Sequence, residues 1–407
     1  MAHSDTSIAV IGGGIGGLSA ALSLLQAGFD VDVYEQARTL REVGAGIVIS
    51  PNATRILHRL GLGDELAKLG VRPLAWHQRR WDDGRTLQRT PLADAVVATF
   101  GFPHYQSHRA DVQAMLASAL PADRLHVGHR LTGLTDHGDR VEALFENGTR
   151  IGADVLIGAD GIHSTVRTLL FGPDNPRFTG AVAYRGLVPA ERLRHLDLEV
   201  TMQIWMGPGK HFVHYFVQSG RLVNFACLIE QASWRGESWT DHGEVADALA
   251  AYEGWHPQVR AIIGAVDETF IWALFDRPPL PRWSLGRVTL LGDACHPMLP
   301  FMAQGAAQAI EDGAALAAIL AKRGEEDASD ALRAYETVRL PRTSRIQAMA
   351  TENKTRFHLP DGPAQQERDA QMATDSTDWS VQAIAWIYGH DAAAIEAGAA
   401  EAPRLVG

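Results

Sequence analysis

The chain has 407 residues, of which 46% are hydrophobic, 21% charged and 7% aromatic. These proportions are typical of a globular protein of two or three domains, and they exclude a disordered or fibrous chain and a disulfide-stabilised miniprotein. The net charge of -11 excludes a general electrostatic affinity for nucleic acid or an anionic membrane. The two cysteines, Cys227 and Cys295, lack metal-ligand spacing and predict a reducing, cytoplasmic compartment.

Neither a targeting segment nor a membrane span is expected. The first residues lack the basic and apolar segments of a secretory signal. The most apolar stretch, 314–321, is far shorter than the roughly 18 residues that would cross a bilayer.

The first 35 residues predict a βαβ unit with strands at 7–11 and 29–35 and a helix at 16–26. Gly12, Gly14 and Gly17 form a GxGxxG motif between the first strand and the helix, where free N–H groups bind phosphate. Gly16 and Gly17 are expected to leave room for that phosphate. Glu35, 23 residues after Gly12, can accept hydrogen bonds from ribose hydroxyls. The unit predicts a dinucleotide site, with a glycine turn that serves packing alone as the alternative.

Two more short strands, 154–157 and 287–291, each precede a Gly/Asp turn. The region from 180 to 269 is rich in aromatic and β-branched residues and predicts a β-rich domain inserted into the first. Helices are predicted at 305–320 and 328–349, the second with an interruption at Pro341 left open. The polar stretch 360–376 could be a mobile linker to a final helix at 381–388.

Three motifs occur in a characteristic order: GGGIGG at 12–17, IGADG at 157–161 and LGDA at 291–294. Their combination resembles the group A FAD-dependent aromatic hydroxylases over nearly the whole chain, weakening after Arg356. The segment 292–316 is similar to stretches of salicylate, 3-hydroxybenzoate and 6-hydroxynicotinate hydroxylases. The resemblance implies an α/β fold of the p-hydroxybenzoate hydroxylase type, with a Rossmann-like FAD-binding domain, an inserted β-sheet substrate domain and C-terminal helices.

The implied domains are discontinuous. The FAD-binding domain would comprise 1–75, 100–179 and 270–340, the β-rich substrate domain 76–99 and 180–269, and the C-terminal helical segment 341–407.

The resemblance also implies a set of FAD contacts, in which Asp293 binds the ribityl or pyrophosphate region and the N–H groups of Gly305 and Ala306 face the flavin N1/C2 carbonyl. A surface salt bridge is the alternative role for Arg109, and a turn aspartate is the alternative for Asp160. The full set is Gly12, Gly14, Gly16, Gly17, Glu35, Gln36, Arg109, Leu131, Asp160, Asp293, Gly305 and Ala306.

Strand alternation in 210–216 places His211, Val213 and Tyr215 on one face and Phe212, His214 and Phe216 on the other. The resemblance implies that Tyr215 and His211 hold or deprotonate a phenol, and a histidine pKa near neutrality suits that task. Packing within the core is the alternative.

Three further residues are predicted to line the substrate pocket: Val48, Pro297 and Phe301. Val48 and Phe301 stand where the 6-hydroxynicotinate enzymes have histidines, which favours a hydroxybenzoate over a pyridine ring. Arg185 could lie near the nicotinamide path or pair with a carboxylate, and it is not assigned. The sequence predicts no metal cluster.

The implied reaction uses NADH or NADPH to reduce FAD and O2 to form a flavin C4a-hydroperoxide, which hydroxylates a phenolic acid. A salicylate-like hydroxybenzoate is favoured, with 3-hydroxybenzoate and 6-hydroxynicotinate as alternatives. A flavin oxidase or dehydrogenase, and a non-catalytic redox sensor, remain the other classes. The expected partners are the aromatic acid and O2, without nucleic acid or membrane, and a homodimer is left open.

Overall fold

The computed structural model describes residues 6–40, 45–233, 241–323, 327–374 and 380–394. The strands within these ranges are β1 Ser7–Ile11, β2 Asp30–Glu35, β3 Gly46–Ile49, β4 Ala75–Arg80, β5 Thr86–Pro91, β6 Tyr105–His108, β7 Leu125–Val127, β8 Leu131–Asp136, β9 Val141–Phe145, β10 Arg150–Ala153, β11 Val155–Gly158, β12 Arg177–Pro189, β13 Met202–Gly207, β14 Lys210–Val217, β15 Leu222–Glu230, β16 Asp241–Gly243, β17 Thr269–Asp276, β18 Ser284–Leu285 and β19 Val288–Leu290.

The α-helices of the same ranges are α1 Ile15–Gln26, α2 Pro51–Arg59, α3 Gly63–Leu69, α4 Ala93–Phe100, α5 Arg109–Ala119, α6 Thr165–Phe171, α7 Val245–Ala251, α8 Pro257–Ile263, α9 Gly305–Arg323, α10 Ala328–Phe357, α11 Pro363–Met372 and α12 Ala385–Tyr388.

A six-stranded sheet with the order β18-β19-β11-β1-β2-β7 carries the first βαβ unit. Its strands pair in parallel except for β18, which is antiparallel to β19. Helices α1 and α9 pack against each other beside this sheet. Gly313 of α9 makes this close approach possible, because a Cβ there would lie 2.6 Å from the Cα of Ala20.

An eight-stranded sheet with the order β16-β17-β12-β15-β14-β13-β4-β5 forms the second layer. Its chain segments are 75–91, 177–230 and 241–276, and its neighbours are antiparallel except β13 and β4. Helices α7 and α8 supply apolar side chains to a cluster on one face, together with Phe212 and Phe225. The opposite face is left for the cavity described below. The predicted domain boundaries remain a prediction, although both segments of the predicted β-rich domain contribute to this sheet.

In the C-terminal part the structure decides one point that the sequence left open and differs from expectation in two others. Helix α10 runs unbroken from Ala328 to Phe357 through Pro341. Pro341 is exposed, as is Thr337 four residues earlier, so water can satisfy the carbonyl that loses its helical partner. The stretch expected as a mobile linker contains α11, with its buried residues Gln365 and Arg368, while 375–379 lie outside the described residues. The final helix is limited to Ala385–Tyr388.

Candidate active site

A cavity of about 890 Å³ lies between the C-terminal ends of the parallel strands and one face of the eight-stranded sheet. Its volume is in the range of cofactor and ligand pockets. Its wall runs from Gly12 and Glu35 at one end, past Asp293, to Arg185 and Tyr215 on the sheet. A dinucleotide and a small second ligand can therefore occupy one continuous space.

The glycines of the GxGxxG motif differ in whether they leave room for protein atoms or for a ligand. A Cβ at Gly17 would lie 2.0 Å from the Gly12 carbonyl oxygen, and one at Gly16 would lie 2.9 Å from Leu291, so these two glycines leave room for protein rather than for phosphate. The expectation that Gly16 and Gly17 both clear space for the phosphate is corrected. A Cβ at Gly14 would meet nothing within 4 Å, and Gly14 lines the cavity. The open position suited to a pyrophosphate is therefore Gly14.

Glu35 stands at the end of β2 on the cavity wall. Its carboxylate accepts hydrogen bonds from the backbone N–H groups of Gly13 and Ala37, both at 2.7 Å. These bonds fix the carboxylate and leave further lone pairs for ribose hydroxyls. Gln113, which sequence reasoning missed, supports the same loop by donating to the Gly13 carbonyl at 2.8 Å.

The other predicted FAD contacts also lie on the cavity wall: Gln36, Arg109, Leu131, Asp160, Asp293, Gly305 and Ala306. Asp160 additionally caps α6, because its carboxylate accepts from the Ser164 hydroxyl at 2.5 Å and from the Thr165 N–H at 2.7 Å. Asp160 thus combines a local structural role in the turn before α6 with a place on the cavity wall.

The N-terminus of α9 faces the middle of the cavity. Gly305 begins this 19-residue helix, and a Cβ there would meet only Met298 at 3.9 Å. The first N–H groups of a helix have no intrahelical acceptor and carry partial positive charge. Asp293 lies on the same wall, where desolvation raises the pKa of its carboxyl. The open glycines at 14 and 305 and the fixed carboxylate of Glu35 fit the phosphates, isoalloxazine ring and ribose of FAD.

Five strands contribute side chains to the sheet face of the cavity. Register places Arg185, Ala226 and Val213 in one row across β12, β15 and β14. Tyr215 and His211 flank Val213 on the same face, whereas Phe212 belongs to the cluster behind the sheet. This is the alternation that the sequence predicts. The remaining lining residues of this face are Ala183, Met202, Asn224, Leu228, Trp272 and Leu274.

Tyr215 lies where the sheet meets strand β3. A Cβ at Gly46 would lie 2.6 Å from the Tyr215 hydroxyl, so the ring lies directly against the Gly46 backbone. The Gly46 N–H donates to Asn224 at 2.8 Å, which fixes β3 against this ring. Burial raises the pKa of Tyr215 above its ordinary value. At neutral pH its hydroxyl is therefore a hydrogen-bond donor and not a base.

Arg185 brings a positive charge to the cavity wall. Its guanidinium carbon lies 4.8 Å from the centroid of the Trp272 ring, a cation–π geometry. Burial, followed by the charge of Arg109, lowers the pKa of Arg185 to about 10, so it remains charged at neutral pH. Arg185 was not assigned a role from sequence, because a place near the nicotinamide path and a pair with a carboxylate were equally open.

His211 is the first member of a hydrogen-bonded chain of three side chains, and sequence reasoning missed the other two. Its Nδ1 lies 2.7 Å from Nε2 of His358, whose Nδ1 lies 3.0 Å from a carboxylate oxygen of Glu230. Burial, and then the neighbouring His358, hold the pKa of His211 well below its ordinary value. The expectation of a near-neutral pKa for this histidine is therefore wrong.

Val48 and Pro297 lie on the cavity wall as expected, but Phe301 does not. The Phe301 ring packs behind His211, with centroids 5.2 Å apart, and is 4% exposed. The structure thus corrects the placement of Phe301 in the ring pocket. His296, in the loop before α9, is buried, and its Nε2 lies 2.6 Å from the carboxylate of Asp312.

Residues 5–350 match the family described as FAD binding domain. The chain belongs to this family. It is 44% identical over 97% of its length to 3-amino-4-hydroxybenzoate 2-monooxygenase of Streptomyces platensis, of which 98% is covered. It is 42% identical over 85% of its length to 6-hydroxynicotinate 3-monooxygenase of Bordetella bronchiseptica, of which 91% is covered. The crystal structure of Klebsiella pneumoniae HpxO with FAD and uric acid matches with a TM-score of 0.83 and 29% identity, over 95% of this chain and 96% of that one.

These similarities confirm the resemblance inferred from the three motifs. The p-hydroxybenzoate hydroxylase type of fold, the FAD-binding assignment and the assignment as an FAD-dependent aromatic monooxygenase are confirmed with it. Within the described ranges, no helix has the length and apolar character needed to cross a bilayer. The same ranges contain no group of three His, Cys, Asp or Glu side chains placed to hold a metal ion.

Proposed function

We propose that this protein uses NAD(P)H and O2 to hydroxylate a benzoate that carries a phenolic hydroxyl group. The observation that carries the proposal is the continuity of the cavity from the open glycines to a sheet face that presents Arg185, Tyr215 and His211. When bound, FAD supplies the reduction of oxygen and the transfer of one oxygen atom to the ring. The protein must bind the aromatic acid, activate its phenol and exclude water.

The residues of the sheet face have complementary roles in this proposal. Arg185 is the cationic group for a ring carboxylate, since a guanidinium presents a planar set of donors that matches carboxylate geometry. Tyr215 donates a hydrogen bond to the phenolic oxygen of the substrate, and His211 accepts the phenolic proton. The apolar wall of Val48, Val213 and Leu274 holds the ring and excludes water.

The cofactor contacts remain those predicted from sequence, at Gly12, Gly14, Glu35, Arg109 and Asp293 among others. The N–H groups of Gly305 and Ala306 would stabilise negative charge on the reduced flavin ring. Gly16 and Gly17 contribute by packing the helix against the loop and the neighbouring protein.

An aminohydroxybenzoate is the first substrate to try, since a 3-amino-4-hydroxybenzoate 2-monooxygenase is 44% identical to this chain. Salicylate and 3-hydroxybenzoate belong to the same class. We expect 6-hydroxynicotinate to be a poorer substrate, and this expectation now rests on Val48, because Phe301 is outside the cavity. A polar ring atom left without a partner costs about 1 to 3 kcal/mol.

The test is a panel of these four acids with FAD-loaded protein, NADH or NADPH and O2, with product identified per reductant consumed. A hydroxylated benzoate formed in near-stoichiometric yield supports the proposal. Better coupling with 6-hydroxynicotinate than with every benzoate would overturn the ring assignment. Flavin reduction by the aromatic acid without nicotinamide would instead indicate an oxidase or dehydrogenase.

We also propose a cytoplasmic location, because both cysteines are free and buried and the reaction consumes reduced nicotinamide. A homodimer is the assembly to test by light scattering. The nucleotide preference follows from comparing NADH and NADPH in the same panel.

A further inference from the structure

A hydrogen-bonded chain of three side chains connects the cavity wall with the protein surface. His211 of β14 lines the cavity, His358 follows the end of α10, and Glu230 ends β15. The two connecting distances are 2.7 Å and 3.0 Å. The His358 side chain is 1% exposed, whereas that of Glu230 is 47% exposed. The chain thus joins the cavity wall to solvent through buried groups.

The carboxylate sets the tautomer of both histidines. An ionised carboxylate only accepts hydrogen bonds, so Nδ1 of His358 must carry the proton that it shares with Glu230. A neutral His358 then offers a lone pair at Nε2, and His211 must donate to it from Nδ1. This leaves the lone pair of His211 at Nε2, the nitrogen available to a ligand in the cavity.

The surroundings hold this arrangement in a water-poor position. The rings of Phe301 and Phe357 lie 5.2 Å and 5.3 Å from that of His211. The Tyr252 hydroxyl donates to the His211 carbonyl at 2.6 Å. The Gly209 N–H donates to the His358 carbonyl at 3.0 Å, which joins the β13–β14 turn to the end of α10. The two phenylalanine rings and these two backbone contacts therefore hold His211 and His358 at hydrogen-bonding distance.

We propose that His358 and Glu230 orient His211 as a base and carry the phenolic proton of the substrate between the cavity wall and solvent. This inference rests on the proposed function, because it requires a phenol as the ligand. In the outward direction, Nε2 of His211 takes the phenolic proton and its Nδ1 proton passes to Nε2 of His358. The Nδ1 proton of His358 passes to Glu230, and from there to water.

The balance of this step is one proton, with no change in the oxidation state of any group. After outward transfer both imidazoles are neutral but carry their protons on Nε2. Transfer of one proton inward along the same chain, to the phenolate of the product, restores the original tautomers. The chain is therefore ready for a second turnover without rotation of either ring.

Neither imidazole is suited to storing the proton. Burial lowers the pKa of His358 to about 4 despite the opposing effect of Glu230, and nearby Lys354 lowers it further. The pKa of His211 is held well below its ordinary value by burial and by His358. A proton accepted from the phenol must consequently move on, and the exposed carboxylate of Glu230 is the group that meets solvent.

The variants that test the proposal are His358→Gln and Glu230→Gln. Glutamine at 358 can still donate and accept hydrogen bonds but does not relay a proton between two nitrogens. Glutamine at 230 keeps the size of the side chain and removes the carboxylate that selects the tautomer. Glu253→Gln is the matched control, because Glu253 is an exposed glutamate beyond the end of α7.

The first measurement is independent of turnover. In FAD-loaded protein with ¹⁵N-labelled histidine, we expect His211 and His358 to carry their protons on Nδ1 in the wild type. Glu230→Gln should shift both toward a mixture of tautomers, and the control variant should not. A proton on Nε2 of His211 in the wild type, or tautomers unaffected by Glu230→Gln, would overturn the assignment even if no aromatic acid were hydroxylated.

The second measurement follows the absorbance change of phenol ionisation when 3-amino-4-hydroxybenzoate, or the panel acid with the highest product yield, is mixed with oxidised holoenzyme. We expect His358→Gln to slow ionisation about 10- to 100-fold, as for residues that orient a functional group, with unchanged FAD affinity. Glu230→Gln should also make the rate of phenol ionisation less dependent on pH. Ionisation at the wild-type rate in both variants would overturn the relay, and so would the absence of phenolate in the wild type. Neither result would affect the hydroxylase activity, which the substrate panel tests separately.

Discussion

At the scale of single residues, Tyr215 shows how the environment decides between two roles that its side chain could have. Burial raises its pKa, and its hydroxyl lies on the cavity wall against the backbone of Gly46. The hydroxyl is therefore a neutral donor at the cavity rather than a base. Burial, and then His358, lower the pKa of His211, four residues earlier on the same strand face.

Tyr215→Phe should slow hydroxylation about 10- to 100-fold while FAD affinity stays unchanged, because a hydrogen bond to a charged group contributes about 1.5 to 3 kcal/mol. The measurement is the single-turnover rate of product formation, alongside the dissociation constant of FAD. Tyr105→Phe is the control, since Tyr105 of β6 is outside the cavity wall. A wild-type hydroxylation rate in Tyr215→Phe would remove this residue from the substrate site.

Gly14 and Gly17 should respond differently to added side chains, although both belong to one motif. Gly14→Val places its side chain in open space on the cavity wall, so the protein should fold and its dissociation constant for FAD should rise about 10-fold or more. Gly17→Ala places a Cβ 2.0 Å from the Gly12 carbonyl oxygen and should destabilise the fold itself. Fluorescence titration with FAD and thermal unfolding of the apoprotein separate these effects. Undiminished FAD affinity in folded Gly14→Val would show that the phosphates bind elsewhere.

At the scale of elements, α9 and α10 are joined by a fully buried ion network. Arg339 donates to Asp312 at 2.7 Å and to the carboxylate of Glu311, and all three side chains are 0% exposed. Burial alone would raise the pKa of both carboxyl groups, but Arg342 and then Arg339 lower that of Glu311, and His296 and then Arg339 lower that of Asp312. Since α9 presents Gly305 to the cavity, this network holds the helix whose N-terminus lies at the cavity wall.

Arg339→Met should lower the free energy of unfolding by about 3 kcal/mol, because it removes the buried cation that Glu311 and Asp312 share and leaves them only Arg342 and His296 as partners. Arg333→Met on the same helix should change it by less than about 1 kcal/mol, because its pair with Asp330 is exposed. Urea unfolding of both apoproteins at pH 7 provides the comparison. Equal losses in the two variants would mean that the buried network contributes no more than a surface pair.

The elements also show how far sequence reasoning extends. The strand at 7–11, the helix after the glycine motif and the alternation of 211, 213 and 215 follow from local periodicity, which the structure reproduces within a few residues. His358 and Glu230 could not be predicted, because 147 and 128 residues separate the partners of the two hydrogen bonds. Phe301 was misplaced for a related reason: a motif gives an order along the chain but does not show which neighbours lie between a ring and the cavity.

At the scale of the whole molecule, buried neutral histidines link stability to pH. Burial lowers the pKa of His104 and His214 from 6.5 to about 3, and both side chains are 2% exposed. The unfolded chain binds protons at these imidazoles from about pH 6.5 downward, whereas the folded protein does so only near pH 3. Their contribution to stability is therefore complete above pH 6.5 and is lost as pH falls toward 3.

His214 offers a direct test of this linkage, because neither of its ring nitrogens has a hydrogen-bond partner among the described residues. Each such histidine changes the free energy of unfolding by about 1.4 kcal/mol per pH unit within this window. Between pH 7 and pH 5, the free energy of unfolding of His214→Leu should therefore fall by about 2 kcal/mol less than that of the wild type, whatever the stability of the variant at pH 7. Urea unfolding at both pH values measures this difference, and exposed His137→Gln should leave it unchanged. If His214→Leu and the wild type lost the same free energy between these pH values, His214 would have to be protonated in the folded protein as readily as in the unfolded chain, contrary to its burial.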